Sequence, residues 1–274
     1  MTSMLQVFAT IKEISAASGL FLKGNLLYVI GDNSSYLYEF AIKEQRLNRI
    51  PLLITSPSEN ILKTAKPDFE VICHYNGIIY ILGSGSTSQR NQMIEYHLDT
   101  KKVIEHNLLP LYTAMKKAHA IGDDNLNIEG AIFTGKQWLL FNRGNGNATK
   151  NGVFIIAGSD LANAKSTYFT LITLLKTNQI VVSFTDAILH KNQIYFIAAA
   201  EDTTSTYNDG KIMGSYIGNL DLATLKLNFI TKIAEHQKFE GITFLGEKDS
   251  QLEFLICEDA DNESSETIIY KLLV

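Results

Sequence analysis

Five times along the 274 residues, a small or acidic residue stands just before a short apolar run that ends in a turn. The segments are Ser18-Gly19-Leu20-Phe21, Glu70-Val71-Ile72-Cys73, Glu129-Gly130-Ala131-Ile132, Asp186-Ala187-Ile188-Leu189 and Glu240-Gly241-Ile242-Thr243. Their lead residues recur every 52 to 59 positions. A period in the fifties with strands in every unit predicts an all-β, five-bladed β-propeller, each repeat one blade of four antiparallel strands.

The detail inside each unit agrees. Unit one offers runs at Ser18–Lys23, Leu26–Ile30, Tyr36–Ile42 and Leu47–Leu53, and unit two at Glu70–His74, Ile78–Leu82, Gln92–Leu98 and Val103–Leu108. Asn76-Gly77 between two apolar runs is a strong hairpin signal, because both residues tolerate positive φ. Thr134-Gly135-Lys136 and His190-Lys191-Asn192 fill the same slot in units three and four. Short helices find room only in connectors, around Pro110–His119 and Asp160–Ala164. The last unit supplies three strands, and the alternating run Leu5–Ile14 supplies the fourth, so both chain ends build one blade and no open edge remains. The blades fall at about 15–55, 66–110, 126–175, 182–234 and 237–274 plus 5–14, in one domain spanning 1–274.

Composition excludes several classes. At 46% hydrophobic and 19% charged, the chain can bury a core and is not a disordered coat. A net charge of −5 argues against a nucleic-acid binder. No run of 18 apolar residues predicts a membrane span, and the start does not read as a signal peptide, so the expectation is a cytoplasmic monomer or an exported one with its signal trimmed. Cys73 and Cys257 are expected as free buried thiols.

The innermost strand of a propeller blade starts at the top face and runs down the central channel, so the five lead residues are expected to face one another at the channel mouth. Carboxylates that close repel unless protonated or bridged by a cation. Ser18, Glu70, Glu129, Asp186 and Glu240 offer oxygen ligands only, which suits Ca²⁺ first, with Mg²⁺ or Mn²⁺ as alternatives. No His or Cys leads a repeat, which argues against zinc or copper.

These residues and their flanks resemble the calcium-activated nucleotidases (apyrases), five-bladed propellers. The similar text includes Glu129-Gly130-Ala131 followed by Trp138-Leu139-Leu140-Phe141-Asn142-Arg143, and Gly210-Lys211-Ile212-Met213-Gly214-Ser215-Tyr216-Ile217 preceding Lys238-Phe239-Glu240-Gly241-Ile242. In that family a central Ca²⁺ is held by Ser, Glu, Glu, Ser, Glu in blade order; here Asp186 stands where the family has its second serine. The Glu-Gly openings are also similar to the phytase-like esterase and SdiA-regulated propellers.

The resemblance implies a metal-dependent hydrolase of phosphate esters or anhydrides. Loops between second and third strands rise to the same face: Asp32-Asn33, Ser84–Arg90, Arg143–Lys150, Glu201–Lys211 and Glu258–Glu263. Arg143, Arg90 and Lys211 are the candidates for contacting a phosphate. Glu201, Asp202 or Glu258 is the candidate base. Two other readings stand beside this one: a non-catalytic binding or scaffold propeller with a structural ion, and a glycosidase using carboxylates at the mouth. A glycosidase normally needs an exposed aromatic platform, whereas the only tryptophan, Trp138, reads as a core strand residue.

Overall fold

The fold follows from short alternating runs that can bury their apolar faces only against a neighbouring blade. In the computed structural model, which describes residues 4–53, 57–144, 150–203, 210–259 and 265–274, five antiparallel sheets form the blades of a five-bladed propeller. Blade one comprises Ala17–Lys23, Leu26–Gly31, Tyr36–Ala41 and Arg46–Pro51. Blade two comprises Phe69–Tyr75, Ile78–Gly83, Gln92–His97 and Val103–Asn107. Blade three is Ile128–Phe133, Gln137–Asn142, Gly152–Ala157 and Tyr168–Leu171. Blade four is Ile180–His190, Gln193–Asp202, Lys211–Asp221 and Leu227–Ala234, with a two-residue strand, Lys176–Thr177, added at its inner edge. That addition departs from the four-strand expectation. It is a tight hairpin whose turn residues, Asn178 and Gln179, both sit at positive φ.

Blade five joins the chain ends. Lys238–Lys248, Gln251–Asp259 and Glu266–Leu273 come from the C-terminal side, and Met4–Lys12 pairs antiparallel with Glu266–Leu273 as the outer strand. Five apolar clusters lie between the blades, one per interface: Ile79, Ile81 and Tyr28 between blades one and two, for example, and Phe141, Phe184 and Phe196 between three and four. Trp138 is fully buried between blades two and three, stacked on Phe133.

The connector after blade two forms the expected helix, at Leu109–Ala118. Pro110 suits its first turn, Lys116 and Lys117 suit the negative end of its dipole, and Leu111, Tyr112 and Met115 share a buried face. Tyr112 donates to the Gly83 carbonyl at 2.8 Å, tying the helix to blade two. The segment Asp160–Ala164 is a turn instead of a helix, because the Asp160 carboxylate accepts the Asn163 amide and closes a local loop.

A bulge between Val7 and Ala9 breaks the expected alternation of Val7, Ala9 and Ile11 in the closing strand, and this gives a direct test. Ile11 is 1% exposed and packs between blades five and one, whereas Val7 is 64% exposed. Ile11→Ala is expected to cost about 2–4 kcal/mol in urea unfolding, and Val7→Ala less than about 0.5 kcal/mol. Equal effects would mean that the strand is not docked in this register.

Candidate functional site at the channel mouth

Near the top, each inner strand breaks its ladder with a one-residue bulge. The breaks fall between Ala17 and Gly19, Phe69 and Val71, Ile128 and Gly130, Phe184 and Asp186, and Phe239 and Gly241. A bulge leaves its extra residue unpaired and re-aims the side chain. The five bulged residues are Ser18, Glu70, Glu129, Thr185 and Glu240.

Blade four therefore corrects the sequence register by one residue: Thr185, not Asp186, occupies the position equivalent to the other four. The two hydroxyls behave alike. Ser18 Oγ donates to the Phe69 carbonyl at 2.5 Å, and Thr185 Oγ1 donates to the Phe239 carbonyl at 2.6 Å. Each ties its blade to the residue just before the next blade's glutamate. Asp186 turns into the wall, where its oxygens accept the amides of Ala187 at 2.7 Å and Ile242 at 2.8 Å. Burial holds its carboxyl well above the usual range despite those bonds. The signal that finds the register is the apolar residue before the lead, as in Phe69-Glu70, Phe184-Thr185 and Phe239-Glu240.

The three glutamates feel one another's charge. Burial raises Glu70 well above the usual carboxylate range, and the fields of Asp68, Glu129 and Glu240 add to it. Burial likewise pushes Glu129 up to about 7, against the pull of Arg143. Arg143 follows the second strand of blade three and is buried. Its Nη1 lies 3.2 Å from Glu129 and 4.0 Å from Glu240, and its Nη2 lies 2.5 Å from Glu201. Lys238 Nζ sits 2.6 Å from Glu240.

A second acidic group adjoins this ring. Carboxylate oxygens of Asp32, Asp68 and Glu70 lie within 4.8 Å of one another. Lys66 pairs with Asp32 and, at 3.0 Å, with Asp68; Arg90 Nη1 reaches Asp68 at 2.8 Å. Ser84 also donates to Asp68. Asp32 Oδ1 is buried with no hydrogen-bond partner. Asp68 escapes a search for repeat leads: it stands just before the inner strand of blade two, at positive φ.

The remaining candidates scatter. Glu201 is in the second strand of blade four, not a loop, and is fixed by Arg143 and by the Gly210 amide at 2.8 Å. Asp202 and Lys211 are opposed, exposed residues at the end of the neighbouring strands. Glu258 is also a strand residue, and accepts the Tyr270 hydroxyl at 2.7 Å. The inner parts of the loops Arg143–Lys150, Glu201–Lys211 and Glu258–Glu263 lie outside the described residues. Arg90 and Arg143 are buried and engaged by carboxylates, not displayed to solvent.

Among the described residues, the linked mouth includes the carboxylates Asp32, Asp68, Glu70, Glu129, Glu201 and Glu240 and the cations Lys66, Arg90, Arg143 and Lys238, with Asp186 and Asp259 close enough to add their fields. Its carboxylates outnumber its cations. Removing one partner of a buried pair is costly because the other charge stays buried. Arg143→Met is expected to lose about 3–5 kcal/mol at pH 8. The loss should shrink at pH 5.5, where Glu129 takes up a proton. A pH-independent loss in urea unfolding would contradict this electrostatic account.

Comparison with known proteins supports the architecture. The luciferin-regenerating enzyme superposes with a TM-score of 0.52 over 99% of this chain and 95% of that one, at 10% identity. The Pan2 WD40 domain of Neurospora crassa gives 0.46 over 97% of this chain and 95% of that one, also at 10% identity. The first, at that identity, speaks to the fold alone, and the second is too loose a superposition to carry an argument. No curated protein matches the chain. The sequence pattern of one family covers residues 13–274, and on that match the chain belongs to DUF6929, a family of unknown function.

Proposed function

We propose that the channel mouth is a divalent-cation site, with Ca²⁺ the first candidate and Mg²⁺ or Mn²⁺ the alternatives. The observation that carries this reading is Asp32 Oδ1, a buried carboxylate oxygen without a partner inside a triad of carboxylates within 4.8 Å of one another. Oxygens that close can share one Ca²⁺ at about 2.3–2.6 Å each. The donor set is oxygen only, which suits a hard ion. Asp32, Asp68 and Glu70 form the core of the proposed site, with Glu129, Glu240 and Ser18 beside it; a hydroxyl that donates keeps lone pairs for a cation. A divalent ion would also offset part of the excess of carboxylates over cations. Asp186, with both oxygens on backbone amides, contributes to the wall of the mouth.

The function favoured is cation-dependent binding of a small oxyanionic molecule at the top face. When bound, the ion supplies an electrophile for a phosphoryl or carboxyl oxygen. The chain's own residues hold the carboxylates in place: Arg143 orients Glu129 and Glu201, Lys238 orients Glu240, and Arg90 orients Asp68.

A second reading, hydrolysis of nucleotides or related phosphate esters, is favoured by one observation. With Thr185 in register, the ring reads hydroxyl, glutamate, glutamate, hydroxyl, glutamate, the order in the calcium-activated nucleotidases. Phosphate contact would then fall to the ion and to exposed Lys211, since Arg143 and Arg90 are committed to carboxylates. Ca²⁺-dependent phosphate release from nucleoside di- or triphosphates, lost in Glu70→Gln, tests this reading; its absence leaves the binding function.

The cation itself is tested by thermal unfolding of chelator-treated protein. A hundredfold excess over Kd is worth about 2.7 kcal/mol, which for a chain of this size raises Tm by roughly 5–10 °C. Asp32→Asn and Glu70→Gln should abolish the rise. No shift with Ca²⁺, Mg²⁺ or Mn²⁺ would refute the site.

The pH dependence has a definite sign. Glu129 rises from an ordinary 4.5 to about 7 on folding. Its contribution to the stability of cation-free protein is therefore full below about pH 4.5 and lost as pH climbs through 7. Cation binding needs ionised carboxylates, so the gain from Ca²⁺ should grow over the same interval. Glu129→Gln is expected to flatten the cation-free slope, measured by urea unfolding between pH 4.5 and 8.

A further inference from the structure

Below the charged ring, the channel changes character. The inner strands run on downward, and their next residues enclose a cavity of about 420 Å³ to which all five blades contribute. Phe21, Ile72, Cys73, Phe133, Leu189 and Phe244 give its main apolar surface. None of its lining residues is Asp, Glu, Lys or Arg, in a chain that is 19% charged. That volume lies in the range of small-molecule sites, about 300–1,000 Å³.

Its walls are braced. Phe21 stacks on His74 with centroids 4.5 Å apart, Phe244 on His190 at 3.9 Å, and Phe133 on Trp138 at 4.4 Å. Each aromatic wall is thus held from the side by a second ring, so little ordering is left to do on binding. The upper end narrows where neighbouring inner strands touch. A methyl group on Gly241 would sit 2.8 Å from Gly19 Cα, and one on Gly130 would sit 2.9 Å from the Ala187 nitrogen.

The polar groups are few and uncharged. Thr243 Oγ1 accepts the Leu22 amide at 3.1 Å and keeps its own proton to donate. His74 Nε2 accepts the Gly77 amide at 3.1 Å, which places the ring proton on Nδ1; burial favours the neutral ring. Burial likewise keeps Cys73 a thiol.

We propose that this lower chamber binds a small, uncharged, ring-bearing apolar molecule that offers one hydrogen-bond acceptor. Any anion or cation would lose its hydration there without gaining a counter-charge. The site is independent of the cation site above, and opens on the opposite face of the propeller.

6-Propionyl-2-(dimethylamino)naphthalene, a neutral fluorophore with one carbonyl acceptor that brightens in apolar surroundings, is the probe. Titration of the full chain is expected to show one saturable site with a dissociation constant below about 100 µM. Leu189→Lys, which places a charge at a half-buried lining position, should weaken it at least tenfold. The location is read separately in wild-type protein: bound probe should slow labelling of Cys73 by N-ethylmaleimide at least fivefold, quantified by peptide mass. Should Leu189→Lys fail to fold, Cys73 protection decides. No saturable binding up to 100 µM would overturn the proposal, and so would saturable binding that leaves the Cys73 labelling rate unchanged.

Discussion

Everything in this propeller depends on how closely five inner strands approach around one axis. The approach is permitted by the missing side chains of Gly19, Gly130 and Gly241, where a Cβ would meet a neighbouring blade at 2.7–2.9 Å. At that level the bulge residues stand just above and the apolar residues just below. A tight ring concentrates whatever its bulges carry. Because Glu70, Glu129 and Glu240 occupy three of the five, the fold creates a local excess of negative charge in a poorly hydrated place. Such a place is stable only with compensating charge.

That compensation also fixes how blades sit against one another. The clusters between blades are apolar and non-directional, and by themselves tolerate small slips. The ion pairs do not. Arg143 of blade three reaches Glu201 of blade four and Glu240 of blade five, while Lys66, between blades one and two, joins Asp32 to Asp68. The hydroxyls of Ser18 and Thr185 perform the same service with backbone carbonyls of the next blade. Directional polar contacts at the axis thus define the angular registry that the greasy interfaces leave loose.

The repeat, the hairpin turns and the shared last blade were legible because each is a local pattern: period two, Asn-Gly and a recurring spacing. The ring was legible for four residues out of five. Asp186 displaced Thr185 because a carboxylate is a stronger chemical cue than a threonine, although the preceding Phe184 matches Phe69 and Phe239 and gives the register. What a linear reading could not supply was pairing across blades. Arg90 and Arg143 follow strand ends and look like solvated loop cations, yet their partners Asp68, Glu129 and Glu201 are 14 to 58 positions away. Asp32 belongs to a different repeat from Glu70, so no spacing rule brings the two together.

The clasp of the ring has a kinetic meaning. Met4–Lys12 is the first strand described and pairs with Glu266–Leu273, the last. A ribosome therefore releases the opening strand long before its mate exists, and blades one to four must assemble beside a dangling segment. Non-local pairing of this kind is slow, because loop closure precedes any reward. Until it forms, Glu266–Leu273 exposes a bare edge that invites strands from other chains. Once formed, the clasp ties the outer edge of blade five to the segment that leads into blade one.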